Sequence, residues 1–291
     1  MAPKRNLLAF TRAITDIDIW RLEVGGKPQP FLVSSMLDAS PQFSPDGRRI
    51  AFASARGLNG IAIWLAYADG TGLMQLTRGP EDYHGSPHWS PDGRWIAYDA
   101  RGQDGRWNIK VVEPGGGQPR QMTGGPFSSV VPTWSSDGKG IYFASDRTGR
   151  YEVWRVPAAG GEAVQVTRDG GYMALESPDG GTLYYTKMSR IGTLYSRPLD
   201  AGDEKQVLEH VPVRGFAVFQ DGVYYFDYPA LGGPQKYALR FHEFATGRSR
   251  IIGQFEGMAA IALAVSPDRT TFLFGWQTSV GRDLMLIENF R

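Results

Sequence analysis

Short apolar runs separated by polar, glycine-rich punctuation fill this chain from end to end. The segment around Asp92 shows the unit: "SPHWS" enters a turn, "RWIAYDA" leaves it, "GQDGR" is a polar loop, and "WNIKVVE", "PGGG" and "QPRQMT" follow. These read as four strands, A to D, joined by turns rich in Gly, Pro and Asp. The runs are nearly continuous rather than strictly alternating, as expected of strands covered on both faces. No stretch combines a helical period with helix end caps. The pattern predicts an all-β chain of four-stranded antiparallel units.

The turn between strands A and B fixes the period. Ser44-Pro45-Asp46-Gly47 returns as Ser90-Pro91-Asp92-Gly93 and as Ser177-Pro178-Asp179-Gly180, with looser copies at Ser135-Ser136-Asp137-Gly138, Phe219-Gln220-Asp221-Gly222 and Ser266-Pro267-Asp268-Arg269. The aspartates at 46, 92, 137, 179, 221 and 268 are 46, 45, 42, 42 and 47 residues apart. A period in the forties belongs to propeller blades. Pro presets the first turn angle, Asp bonds its own local backbone, and Gly tolerates positive φ. Chemistry would need such an aspartate once or in a pair, so six equivalent copies are architecture.

Counting the strands predicts how the ring closes. A–B turns occur six times, but B–C hairpins occur seven times if "NLLAFTRAITDIDIWRLEV" and "TTFLFGWQTSVGRDLMLIENF" each hold one. The expectation is a single β-propeller over residues 1–291 with seven blades, the first and last incomplete; six blades is the alternative. Trp20, Trp64 and Trp154 on C strands, with Trp89 and Trp134 before the turns, recur at matching places and are expected to pack between blades.

Composition narrows the functions. Lys plus Arg number 31 against 30 Asp plus Glu, so no global field recruits nucleic acid or an anionic membrane. Cysteine is absent, which excludes disulfides and thiolate metal sites but fixes no compartment. No apolar run approaches the roughly 18 residues of a membrane helix, and "MAPKRNLLAF" is not followed by a signal-peptide core.

Catalytic motifs are missing. There is no Gly-x-Ser-x-Gly elbow and no phosphate-binding Gly-x4-Gly-Lys-Ser/Thr loop, and Gly115-Gly116-Gly117 reads as a C–D turn. His242-Glu243 opens like a zinc-protease helix, but Thr246 stands where the second His is required. In "EDYHGSPH", His84 and His88 lie near Glu81 and Asp82; metal ligation is conceivable there, and a polar loop is the simpler reading.

"HWSPDGRWIAYDA", "TWSSDGKGIYFASDRTG" and "FSPDGRRIAFASARG" resemble the WD40-like repeats of the TolB propeller and of the propeller in prolyl oligopeptidase-type peptidases. The peptidases carry their Ser, Asp and His on a separate α/β domain, for which no residues remain here. The end, "VSPDRTTFLFGWQTSVGRDLMLIENFR", resembles the C-terminus of large bacterial regulators in which a propeller follows a winged-helix or protein-kinase domain. That likeness implies the sensory or interaction end of a longer protein.

The expected function is therefore binding without catalysis, with no cofactor or metal and no direct contact with nucleic acid. An enzyme, a hydrolase or lyase using the channel mouth, and a scaffold for a peptidase-like protein are the alternatives. The A–B face is nearly uniform, whereas the face of the D–A and B–C loops is irregular and suits a protein or small polar ligand. Its members nearest strand A are Asp82, Tyr83, His84, Phe127, Tyr172 and Arg214.

Overall fold

The computed structural model describes residues 7–57, 60–81, 83–187, 191–228, 236–256 and 260–288. Among these, every regular element is a strand. Strands β1 (Leu7–Glu23) and β2 (Gln29–Leu32) open the chain. Blade 1 holds β3 (Asp38–Phe43), β4 (Arg49–Ser54), β5 (Ala62–Tyr67) and β6 (Met74–Gln75); blade 2 holds β7 (Tyr83–Trp89), β8 (Ile96–Arg101), β9 (Trp107–Val112) and β10 (Arg120–Gln121). Blade 3 holds β11 (Ser129–Trp134), β12 (Gly140–Ser145), β13 (Glu152–Pro157) and β14 (Val164–Gln165). Blade 4 holds β15 (Ala174–Glu176), β16 (Thr182–Thr186), β17 (Ile191–Pro198) and β18 (Lys205–Pro212). Blade 5 holds β19 (Phe216–Phe219), β20 (Gly222–Asp227), β21 (Lys236–Glu243) and β22 (Arg248–Glu256). The chain ends with β23 (Ala260–Val265) and β24 (Thr271–Glu288).

The described residues form six four-stranded antiparallel sheets, not seven. The closing blade has the order β2-β1-β24-β23, so each end of the chain supplies two strands. The two terminal segments that read as hairpins do not turn. Each is one continuous strand: β1 pairs with β24 from Leu7↔Glu288 to Glu23↔Thr271, with a bulge near Asp16. "TRAITD" offers no Gly or Pro to turn on, and Gly281 is simply paired opposite Ile14. What looked like an extra blade is one long two-stranded ribbon.

The A–B turns are built as their sequence requires. Ser44 Oγ donates to Asp46 Oδ1 at 2.5 Å, and the same bond joins Ser90 to Asp92, Ser135 to Asp137, Ser177 to Asp179 and Ser266 to Asp268. The carboxylate then accepts the N–H two residues on, as from Arg48 at 3.1 Å. Gly47 sits at φ 69°, and Arg269 takes the same conformation at 60° without being glycine. Neighbouring turns touch: a Cβ on Gly47 would lie 3.3 Å from Pro267 Cδ, and one on Gly93 3.7 Å from Pro45 Cδ. The repeated turns thus form a closed collar around one end of the axis.

Between blades the core is aliphatic with aromatic wedges. Trp89 packs among Ala51, Ile63, Leu65 and Ile96, and Trp134 among Ala97, Ile109 and Val111, each bridging to the preceding blade. Trp20, Trp64 and Trp154 are partly buried against these interblade clusters. Burying such rings removes 150–250 Å² of mostly apolar surface each by typical values. The tryptophans belong to packing, as their recurrence implied.

Candidate functional site

The six A strands wall a central cavity of about 560 Å³, a size that suits a small ligand or a short chain segment. Its shape comes from a repeated backbone irregularity. Ser40, Ser86, Val131 and Ala262 have φ of 53°, 48°, 55° and 61°, each at a register shift where A pairs with B. Non-glycine residues adopt this left-handed conformation at a cost of roughly 1–2 kcal/mol, so surrounding contacts must hold it. One such contact is visible: Asp99 Oδ2 on β8 accepts the Val131 N–H at 2.8 Å. The bulges bend these four inner strands and present their next residues to the lumen.

The lumen is two-sided. The residues two places before the turn serine are Gln42, His88 and Thr133 in blades 1 to 3, and Leu175 and Ala264 in blades 4 and 6; Ala217 takes the place in blade 5. One half of this waist is polar, the other apolar. Gln42 Oε1 is buried and has no hydrogen-bond partner among the described residues. His88, half-buried and walled in by the channel, has its imidazole pushed down to about 4 by burial, so it is neutral near pH 7. Trp134 N–H donates to His88 Nδ1 at 3.4 Å, which leaves Nε2 as the donor.

At the collar end stands Glu176, which accepts from Ser136 Oγ at 3.2 Å and Ser136 N–H at 3.3 Å. Burial raises its carboxyl pKa despite these bonds. At the other end is Arg214, whose Nη1 donates to Ser40 Oγ at 3.4 Å. Arginine at one mouth and a carboxyl at the other give the channel a polar direction.

The sequence candidates divide. Arg214 lines the channel. Tyr83 stands beside the rim, its phenol pushed up by burial and by Asp99, with Arg214 and Arg101 pulling the other way. Its ring meets Trp107 edge-on at 4.9 Å. Tyr172 precedes the channel residue Met173 and packs edge-on against Tyr151 at 5.3 Å. Phe127 lies under the Arg147 guanidinium at 4.2 Å, which also covers Trp154, and is not a wall of the cavity. His84 is buried and turns into the interface of blades 1 and 2, where a separate cavity lies. Asp82 falls outside the described residues. Two further rim aromatics, Trp107 and Tyr151, carry only a weak sequence signal: "DGRW" and "TGRY" set both directly after B–C loops.

Comparison with known proteins agrees with the propeller fold. The family model for the TolB beta propeller domain matches residues 4–211. An uncharacterized protein of Agrobacterium fabrum is 27% identical over 198 residues, a match spanning 66% of this chain and 66% of that one. A provisionally named TolB from Agrobacterium tumefaciens superposes with a TM-score of 0.75 at 18% identity, covering 91% of this chain and 99% of its own. TolB from Acinetobacter baumannii gives 0.62 at 18% identity, covering 94% of this chain and 66% of its own. Propellers of hydrolases and of a lyase share the architecture as well. At such identities the structural likeness is one of fold.

Proposed function

Because the chain belongs to the TolB beta propeller family, we propose that it is a binding module that receives an extended segment of a partner protein through the rim and into the channel. The observation that carries this reading is the divided waist, with Gln42, His88 and Thr133 facing Leu175, Ala217 and Ala264. A strand-like segment turns alternate side chains to opposite sides, so polar ones can meet blades 1 to 3 and apolar ones blades 4 to 6. Tyr83, Trp107, Tyr151 and Tyr172 add aromatic surface beside the rim, where rigid rings contribute contact area at low entropic cost. Arg214 suits a carboxylate on the incoming segment.

Binding rather than catalysis is supported by how the titratable groups are spread. Arg214, His88 and Glu176 stand at successive levels of the channel, whereas an acid–base pair must converge on one reacting atom. The test uses displayed random peptides selected on the wild-type protein. Enriched peptides should lose at least tenfold in affinity for Tyr83→Ala/Tyr172→Ala and keep it for Arg48→Ala/Arg94→Ala, which alters the collar face. Dependence on the collar pair alone would place binding on the opposite face.

A further inference from the structure

Blade 1 lacks a polar group that other blades place at the same point of the C strand. In blades 1 to 3 a threonine two residues past the D strand accepts the N–H of a buried C-strand aliphatic: Thr77 from Ile63 at 2.9 Å, Thr123 from Ile109 at 2.8 Å, and Thr167 from Val153 at 2.8 Å. The residue before that aliphatic is Asn108 in blade 2, Glu152 in blade 3 and Asp18 before Ile19 in blade 6, but Ala62 in blade 1. Blade 5 also has an alanine, Ala238, and there Asp227 stands directly across the ladder.

Blade 3 shows what the carboxylate does. Thr167 Oγ1 donates to Glu152 Oε2 at 2.6 Å, Gly170 N–H donates to it at 3.0 Å, and Arg150 Nε donates to Oε1 at 2.7 Å. In blade 1 the carboxylate is missing, and Thr77 Oγ1 lies 2.7 Å from His84 Nδ1 instead. Beside Ala62 remains a cavity of about 340 Å³, distinct from the channel.

The walls of this cavity have a definite charge. Arg56 pairs with Asp38 at 2.7 Å, and Lys110 pairs with Glu81, so these four cancel. Arg78 is exposed at the cavity and forms no ion pair among the described residues. Burial lowers the His84 pKa, so the ring is neutral near pH 7. With a carboxylate oxygen of Glu81 nearest Nε2, the favoured tautomer carries its hydrogen there, and Nδ1 then accepts from the Thr77 hydroxyl. Nε2 is buried in a side chain only 3% exposed, and among the described residues its nearest acceptor is Glu81 Oε2 at 3.5 Å, too far and too poorly aligned for a good hydrogen bond. A buried donor held this poorly is costly, and a closer ligand acceptor would satisfy it.

We infer that this interblade pocket binds a small carboxylate, whose oxygens take the place of the missing side-chain acceptor, receive the His84 Nε2 hydrogen and pair with Arg78. The Glu81 carboxylate faces the same space, and Lys110 neutralises it. The experiment follows the imidazole nitrogens of the 15N-labelled protein by NMR during titration with acetate, propionate and lactate, with sulfate as control. At least one of the acids should move the His84 resonances saturably. Arg78→Ala should raise its Kd at least tenfold, and Ala62→Glu, which restores the carboxylate of blade 3, should abolish binding. Failure of all three acids to move His84, or a sulfate titration equal to theirs, would overturn the assignment. So would unchanged binding to Arg78→Ala, an exposed position that decides the matter even if Ala62→Glu does not fold.

Discussion

Asp99 of blade 2 reaches across to blade 3, where its carboxylate holds the N–H of Val131 at 2.8 Å. Val131 is one of the four channel residues with a left-handed backbone, so this bond ties channel shape to a buried side chain of the neighbouring blade. Asp99→Ala should destabilise the protein by about 1–3 kcal/mol, because a buried N–H is left without a partner. Asp99→Asn keeps an acceptor and should cost less. Urea unfolding of the three proteins checks the order.

The collar predicts an acid dependence. The Asp92 pKa lies below its usual 3.8, chiefly through the Ser90 hydroxyl. A carboxyl depressed on folding contributes stability that is present above the unfolded value and is lost as pH falls through the folded one. Ser90→Ala should therefore destabilise by on the order of 1 kcal/mol at about pH 6 and by less at about pH 2.5. Asp92→Ala should cost a similar amount at about pH 6. Chemical denaturation at the two pH values measures both.

His88 has the opposite charge type and the same direction of pH dependence. Its folded pKa of about 4 lies below the ordinary 6.5, so between these values the unfolded chain binds the extra proton. The stability due to a neutral His88 is whole above 6.5 and declines as pH falls toward 4. His88→Gln should flatten the loss between about pH 7 and about pH 5. In an NMR titration the His88 ring of the wild type should still be neutral at about pH 5; an ordinary midpoint would show that the channel does not bury it.

The blade was legible because its signals are local. A Ser-Pro-Asp-Gly turn announces itself through backbone chemistry that neighbours do not alter, and each copy formed its own hydrogen bonds. Closure was not legible. Whether "QTSVGRDL" bends or runs straight depends on its pairing with Ala13 and Ile14, which lie at the far end of the chain. The site was half legible for a related reason. In strands buried on both faces, apolar periodicity does not say which wall a residue faces, so the sequence could not separate His84, which enters the interblade cavity, from its neighbour Tyr83 beside the channel rim. The difference between Ala62 and Glu152 was visible in the sequence, but its meaning needed the threonine that each does or does not meet.

Arg269 offers a test of turn geometry. It occupies the glycine position at φ 60°, while its guanidinium pairs with Asp221 of the preceding turn at 2.7 Å. Arg269→Gly should relieve backbone strain and lose a partly exposed ion pair, leaving stability within about 0.5 kcal/mol of wild type. Arg269→Ala loses the pair and keeps the strain, so it should be the less stable variant in the same thermal unfolding experiment.

The proposal that a partner segment enters the channel can be probed at the waist itself. The chain has no cysteine, so Ala217→Cys places one thiol on the apolar side of the lumen. The measurement is its rate of maleimide labelling with and without a saturating selected peptide, beside an Arg94→Cys control on the collar face. Entry into the channel predicts at least a tenfold slower reaction at residue 217 and no change at 94. Equal rates at 217 under saturation, or protection at 94 alone, would contradict it.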